Sequence, residues 1–203
     1  MTTPLTRRSV LAAGLLPFLP ATAWSAIEIV EAGAVEKTVG ETVGLFNGET
    51  RTLQPGAKVF IDDMLRTGAK ARLAVLLGEK TRLSLGERTR IKIDRFIADQ
   101  GGELVLERGA MLFDRPDDEP HSPLSVTTPF GLIVARGTKF FVGPTGGQPS
   151  VFVERGLVNV QVGLNAFSLV PGEGIDLVSA TRAPPRPSRW RDKRIQAAYD
   201  LVS

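Results

Sequence analysis

The sequence predicts an all-β domain, with short strands in a rolled or solenoid-like sheet or sandwich, followed by a short C-terminal α-helix. Three observations predict it. Runs of roughly four to seven residues alternate apolar and polar side chains and end at Gly or Pro about every eight to twelve positions. The 203 residues include 21 Gly and 14 Pro but only 6% aromatics, a mix that suits strands and turns better than long helices. No segment between residues 27 and 180 sustains a 3.6-residue apolar period.

Residues 1–26 read as a cleaved export signal. MTTPLTRR carries Arg7 and Arg8, SVLAAGLLPFLP is a moderate apolar run, and ATAWSA offers small residues to a peptidase after Ala23, Ser25 or Ala26. Thr6-Arg7-Arg8-Ser9-Val10-Leu11 has the hydroxyl, arginine pair and hydrophobic pair of a twin-arginine (Tat) signal. The plainer alternative is a Sec signal that contains two arginines. The run is too short for a membrane span, which takes about 20 residues, and no later run approaches that length. The expected location is therefore exported and periplasmic. Loss of Arg7 and Arg8 lowers Lys plus Arg from 25 to 23, against 22 Asp plus Glu. The mature chain is then nearly neutral, and nucleic acid is not an expected partner. There are no cysteines, which excludes disulfides, thiolate metal sites and Cys nucleophiles.

Residues 27–180 carry the strand-like alternation: EIVEAGAVEKTVG, ARLAVLLG, GELVLERGAMLF, LSVTTPFGLIV, TKFFVG, SVFVERGLVNVQVG and FSLVPGEGIDLV. Between Leu77 and Asp94 one phrase occurs twice, LGEKTRLS and then LGERTRIK. Leu73, Val75, Leu77, Leu83, Leu85, Ile91 and Ile93 all fall at odd positions, so they share one buried face if the strands keep phase. A two-residue loop at Gly78-Glu79 would set Leu77 against Lys80 and mix core with charge. An odd-length loop or a solenoid corner is expected instead. On the other face Lys80, Arg82, Arg88, Arg90 and Lys92 are expected to project together. Such a face is either a solvated one, offset by Glu79, Glu87 and Asp94, or a holder of an anionic glycan, lipid phosphate or acidic partner.

The segment VFIDDMLRTGAKARLAVLLGEKTRLSLGERTRIKI (59–93) resembles the opening of the FecR domain, with its acidic-hydrophobic-Arg-Thr-Gly step. GELVLERGAMLF (102–113) is similar to its middle strand pair, and TTPFGLIVARGTKFFV (127–142) to its Thr-Pro, Gly and Arg-Gly-Thr-aromatic signature. VFVERGLVNVQV (151–162) and LVPGEGIDLV (169–178) resemble its closing strands, so the likeness runs from about Val30 to Val178. The resemblance implies an all-β periplasmic domain without catalytic activity. In the namesake proteins that domain helps relay a signal from an outer-membrane iron-chelate transporter to a cytoplasmic sigma factor. This sequence has no sigma-binding segment and no transmembrane helix after the signal. The resemblance therefore implies a stand-alone exported FecR domain.

Three candidate sites remain. Arg136 lies inside the apolar run LIVARGTKFF, and a buried charge must be paired. The expected partner is Glu154, with Gly137 allowing an unusual backbone angle or close packing; the alternative is that Arg136 and Thr138 touch a ligand. FDRPDDEPHSP (113–123) is rich in oxygen ligands, but it lacks EF-hand spacing and reads as a turn-rich loop rather than a calcium site. Catalysis has little to build on, because His121 is the sole histidine and no nucleophile elbow, P-loop or dinucleotide fingerprint occurs. Neither a metal nor a cofactor is expected. Residues 181–203 are a Pro/Arg-rich joint and a helix, with Ser188 as N-cap and Ile195, Ala198, Tyr199 and Val202 on one face. That face, with Trp190, docks on its own domain, on a membrane surface or on a partner.

These readings point to a non-catalytic periplasmic binding or regulatory module that acts through sheet edges, the basic face or the tail, with another envelope protein as partner. One alternative is a sensing subunit of an iron-chelate, sigma-factor type relay that works with separate partners. The other is a binder of cell-envelope glycan or anionic lipid.

Overall fold

The computed structural model describes residues 29–97, 101–116, 122–177 and 186–203, with the side chains of Ile97 and Thr138 left out. The export segment 1–26 and the loop residues Asp117, Asp118, Glu119 and His121 lie outside them.

Strands β1 (Glu31–Val39), β2 (Thr42–Phe46), β3 (Glu49–Thr52), β4 (Lys58–Phe60) and β5 (Met64–Thr67) open the chain. Next come β6 (Arg72–Leu77), β7 (Thr81–Leu85), β8 (Arg90–Ile97), β9 (Gly101–Arg108) and β10 (Met111–Asp114). Then β11 (Pro123–Thr128), β12 (Gly131–Thr145), β13 (Gln148–Val162), β14 (Asn165–Leu169), β15 (Glu173–Asp176) and β16 (Ser188–Arg189) lead to helix α1 (Asp192–Asp200). All the strands join one mixed sheet, whose main path is β3-β2-β5-β8-β9-β11-β12-β10-β7-β6-β1-β4. One core takes side chains from both ends of that path, including Leu73, Val75, Leu83 and Leu85 with Ile91, Ile93, Leu104 and Leu106. The sheet is rolled, with that face inside.

The repeated phrase uses each expected connection once. β6 pairs with β7 in the register Leu77↔Thr81 and Val75↔Leu83, so Gly78, Glu79 and Lys80 form a three-residue loop. The odd length keeps Leu73, Val75, Leu77, Leu83 and Leu85 on the buried side. The second Gly-Glu step, Gly86-Glu87, is a corner. β7 pairs only with β6 and β10, whereas β8 pairs with β5 and β9, so the chain crosses here from one part of the sheet to another.

Two buried threonines hold that corner. Thr67 Oγ1 donates to the Gly86 carbonyl (2.6 Å) and accepts from the Thr89 amide (2.8 Å). Thr89 Oγ1 accepts from the Ala110 amide (3.0 Å). Gly109 (φ +93°) packs so closely on Thr89 that a Cβ there would overlap it. Three segments far apart in sequence, 66–68, 86–89 and 108–110, are thereby fastened at one node.

β12 and β13, of 15 residues each, are much longer than the short strands expected. β12 continues through Gly137, where a break was read, and β13 through Gly156. Gly137 (φ +49°) and Thr138 stand opposite the single residue Gly156 (φ +88°), with a second register shift between Lys139 and Phe140. Such bulges bend a ladder without ending it. Below the bend β12 pairs with β11, and above it with β10, so one hairpin spans both parts of the sheet.

The acidic step of the sequence also has a structural reason. Asp63, fully buried between β4 and β5, accepts two hydrogen bonds from the Arg51 guanidinium and one from the Phe60 amide (3.0 Å). Removing the cation strands a buried carboxylate. Arg51→Met is therefore expected to cost about 3 kcal/mol in urea unfolding, with Asp63→Asn costing less.

Candidate functional site

The basic residues of the repeated phrase do not form one row. In the sheet path β7 and β8 are separated by β9, β11, β12 and β10. Arg82 is held by Glu36 through two hydrogen bonds of 2.6 Å. That pairing sets the Glu36 carboxyl below its usual range and raises the Arg82 guanidinium. Arg90 pairs with Glu107 at 3.0 Å, and Lys92 lies between Asp62 (2.7 Å) and Asp94 (2.5 Å). Both carboxylates raise the Lys92 ammonium, Asp62 the more. Lys80 is exposed in the three-residue loop, and Arg88 is exposed at the corner with φ +50°. The expectation of a single projecting basic face is corrected by strand order, because sequence neighbours across the corner enter different parts of the sheet.

The Arg136 expectation is also corrected. Gly137 does take a left-handed angle, but Arg136 is exposed, outside the core. Before the bend the odd residues Ile133 and Ala135 face inward, while after it the even residues Phe140 and Val142 do. Even-numbered Arg136 precedes the switch and so points out. Glu154 instead accepts from Lys139 Nζ (3.3 Å) and from the Tyr199 hydroxyl. Burial first, and then Glu154, raise the Tyr199 phenol above its ordinary range.

The tail packs on its own domain. Trp190 stacks on Phe152 with ring centroids 5.0 Å apart, and Tyr199 meets the same ring edge-on at 6.5 Å. Ala198 and Val202 are buried beside Ala110 and Phe141, with Ile195 packed against them. Arg194 lies over the Trp190 ring at 3.8 Å, pairs with Asp176 and donates to Thr145 Oγ1 at 2.8 Å. Arg72 donates to the carbonyls of Asp200 and Ser203, both at 3.2 Å, at the end of the helix. The helix starts after Arg191, which makes no side-chain cap, and Ser188 lies in β16 instead of capping it. The sequence signal for this docking was present but unread. Phe140-Phe141-Val142 and Val151-Phe152-Val153 break alternation because both faces of that part of the hairpin are buried.

Asp114, at the start of the candidate calcium loop, is engaged by Arg155 (2.9 Å), and no metal-ligating cluster occurs among the described residues. No helix there is long and apolar enough to cross a membrane.

What the described surface offers a partner is an edge strand. β3, β4, β14 and β16 each pair on one side only. β3 carries Glu49 and Arg51, β4 carries Lys58 and β16 carries Arg189, whereas β14 (NAFSL) carries no charge. Charge on an edge discourages strand addition, and β14 lacks that protection. Its two-residue turn (Val162↔Asn165) and antiparallel register direct the amides of Ala166 and Ser168 away from β13. The outer face beside it exposes Leu132, Leu157 and Val170, and Leu164 at the turn is fully exposed.

Residues 63–159 match the family model described as FecR protein. This stretch, just under half of the chain, is FecR-like. The match is shorter than the likeness traced from Val30 to Val178, leaving β1 to β4, β14, β15 and the tail outside it. Two solved structures from Parabacteroides distasonis ATCC 8503, each described as a "putative anti-sigma factor", share the fold at TM-score 0.55 and 21% identity. The likeness covers 66% of this chain and 63% and 62% of those chains, so it spans less than two thirds of their length. No curated protein matches.

Within the FecR-like stretch Arg136→Met is expected to change unfolding free energy by no more than about 0.5 kcal/mol, the range of an unpaired surface position. Trp190→Ala removes the ring under the tail and is expected to cost about 3 kcal/mol. Near-UV circular dichroism and urea unfolding read both outcomes.

Proposed function

We infer that this FecR-like chain is a non-catalytic regulatory module that works outside the cytoplasmic membrane and binds another envelope protein by strand addition at β14. The observation that carries this is the uncharged edge of β14, set against charged β3, β4 and β16. A partner strand there gains main-chain hydrogen bonds, and the exposed Leu132, Leu157 and Val170 supply apolar contact beside it. The FecR match and the names of the two solved neighbours support a signalling role. The export signal read at residues 1–26 supports the location. A second reading is a sensing subunit that works with a separately encoded transporter or membrane regulator, and it draws on the same match.

Ala166→Pro tests the edge. Proline removes an amide that β13 does not use, so the fold tolerates it while an added strand loses a donor. The mature protein, wild type or variant, serves as crosslinking bait in a periplasmic extract at low and high salt. One defined protein that survives high salt with wild type and is lost with Ala166→Pro is the expected result. Equal capture by both baits, or recovery of glycan or lipid alone, overturns the reading.

A further inference from the structure

Arg66 on β5, Arg88 at the corner and Arg108 at the end of β9 line one concave pocket of about 470 Å³, together with Glu41, Val43, Thr50, Thr67 and Gly68. These three arginines differ from most others in the sheet. Arg51, Arg82, Arg90, Arg95 and Arg155 each have a carboxylate partner. Among the described residues Arg66, Arg88 and Arg108 have neither an ion pair nor a side-chain hydrogen bond. Glu41 is the sole acid on the pocket wall, so three cations face one anion.

The arrangement has a cost. Arg66 stands directly opposite Arg90 in the β5–β8 register, and Arg90 opposite Arg108 in the β8–β9 register. Like charges opposite each other on neighbouring strands destabilise a sheet. Glu107 offsets Arg90, which leaves the two flanking arginines uncompensated. Arg88 adds a left-handed backbone angle at a non-glycine position. Repulsion and backbone strain collected at one place are what a site for an opposite charge looks like without its ligand.

The node described above also fixes the geometry. Each arginine directly precedes a fastened residue: Arg66 precedes Thr67, Arg88 precedes Thr89, and Arg108 precedes Gly109. The Arg88 amide donates to the Gly68 carbonyl at 2.9 Å, tying the corner to the Arg-Thr-Gly step. The node holds the backbone beneath the three guanidinium groups, so the positions that carry them need not move when an anion enters. Guanidinium groups match carboxylate and phosphate oxygens through paired hydrogen bonds.

We propose that Arg66, Arg88 and Arg108 form a binding site for a small multivalent oxyanion, one that presents two carboxylate or phosphate groups. The site does not depend on a partner at β14.

Titration calorimetry of the mature protein with pyrophosphate, malonate and inorganic phosphate, at low and high salt, tests it. One-to-one binding of pyrophosphate or malonate, tighter than that of phosphate, is expected; which of the two binds identifies the source as phosphoryl or carboxylate. Arg66→Gln and Arg108→Gln are each expected to weaken binding about tenfold or more. Each variant should also raise the melting temperature of the ligand-free protein at low salt, because a like-charge opposition is removed. A merely structural role for these arginines predicts the opposite shift. Arg136→Gln, an equal change of charge at an exposed position, leaves affinity unchanged, and near-UV circular dichroism verifies each fold. Absence of binding by both pyrophosphate and malonate, or equal weakening by Arg136→Gln, overturns the proposal.

Discussion

The opposed bulges of the β12–β13 hairpin are the constraint on which the rest of the sheet depends. Gly137 and Thr138 stand against Gly156, and the extra residues reverse which side chains face inward. Below the bend Ile133, Ala135, Val158 and Val160 fill the core, and above it Phe140, Val142, Val151 and Val153 do. Without that change of phase a strand of 15 residues would carry core side chains outward over half its length. With it, one hairpin pairs with β11 below and β10 above and gives both parts of the sheet a common core. The upper part also turns Phe141 and Phe152 outward, where Trp190, Ala198 and Val202 cover them. The tail is thus a second layer over a stretch of sheet that is apolar on both faces.

The distribution of charge follows from the same rolled topology. Arg82 finds Glu36 46 residues away, and Arg155 finds Asp114 41 residues away. Most cations on the strands are neutralised by such long-range partners, so the sheet presents little net field there. Two places differ: the β14 edge carries no charge at all, and the pocket at the threonine node carries an excess of positive charge. The first suits a partner's backbone, and the second suits a small anion. They lie on different strands, so one site can be occupied without blocking the other.

Much of the fold was legible because its signal is local. The apolar odd-position residues from Leu73 to Ile93 are all buried, and the demand that they share a face called for the odd-length loop or corner that the chain uses at Gly78 and Gly86. The helix face of Ile195, Ala198, Tyr199 and Val202 was read from spacing alone and is the face that packs. The site was less legible. Arg136 was placed in the core because its neighbours are apolar, yet the phase reversal at Gly137 leaves it outside. That reversal is visible as a shift from odd to even apolar positions, but only once the strand is known to continue through the bend. Arg66 was noticed only as part of the Arg-Thr-Gly step and Arg108 not at all, since nothing near either one distinguishes it from a solvated arginine.

By itself, then, the sequence determined the β period, the turn positions, the FecR pattern and the amphipathic tail. These rest on side-chain alternation and backbone preference, which act within a few residues. Only the tertiary structure decided which strands became neighbours, which charges met a partner and which edge stayed bare. Strand pairing is set by where the rolled sheet brings distant segments together, and electrostatic pairing depends on that distance in space. Two arginines 42 positions apart, Arg66 and Arg108, can therefore share a pocket while the successive repeats at Arg82 and Arg90 part company.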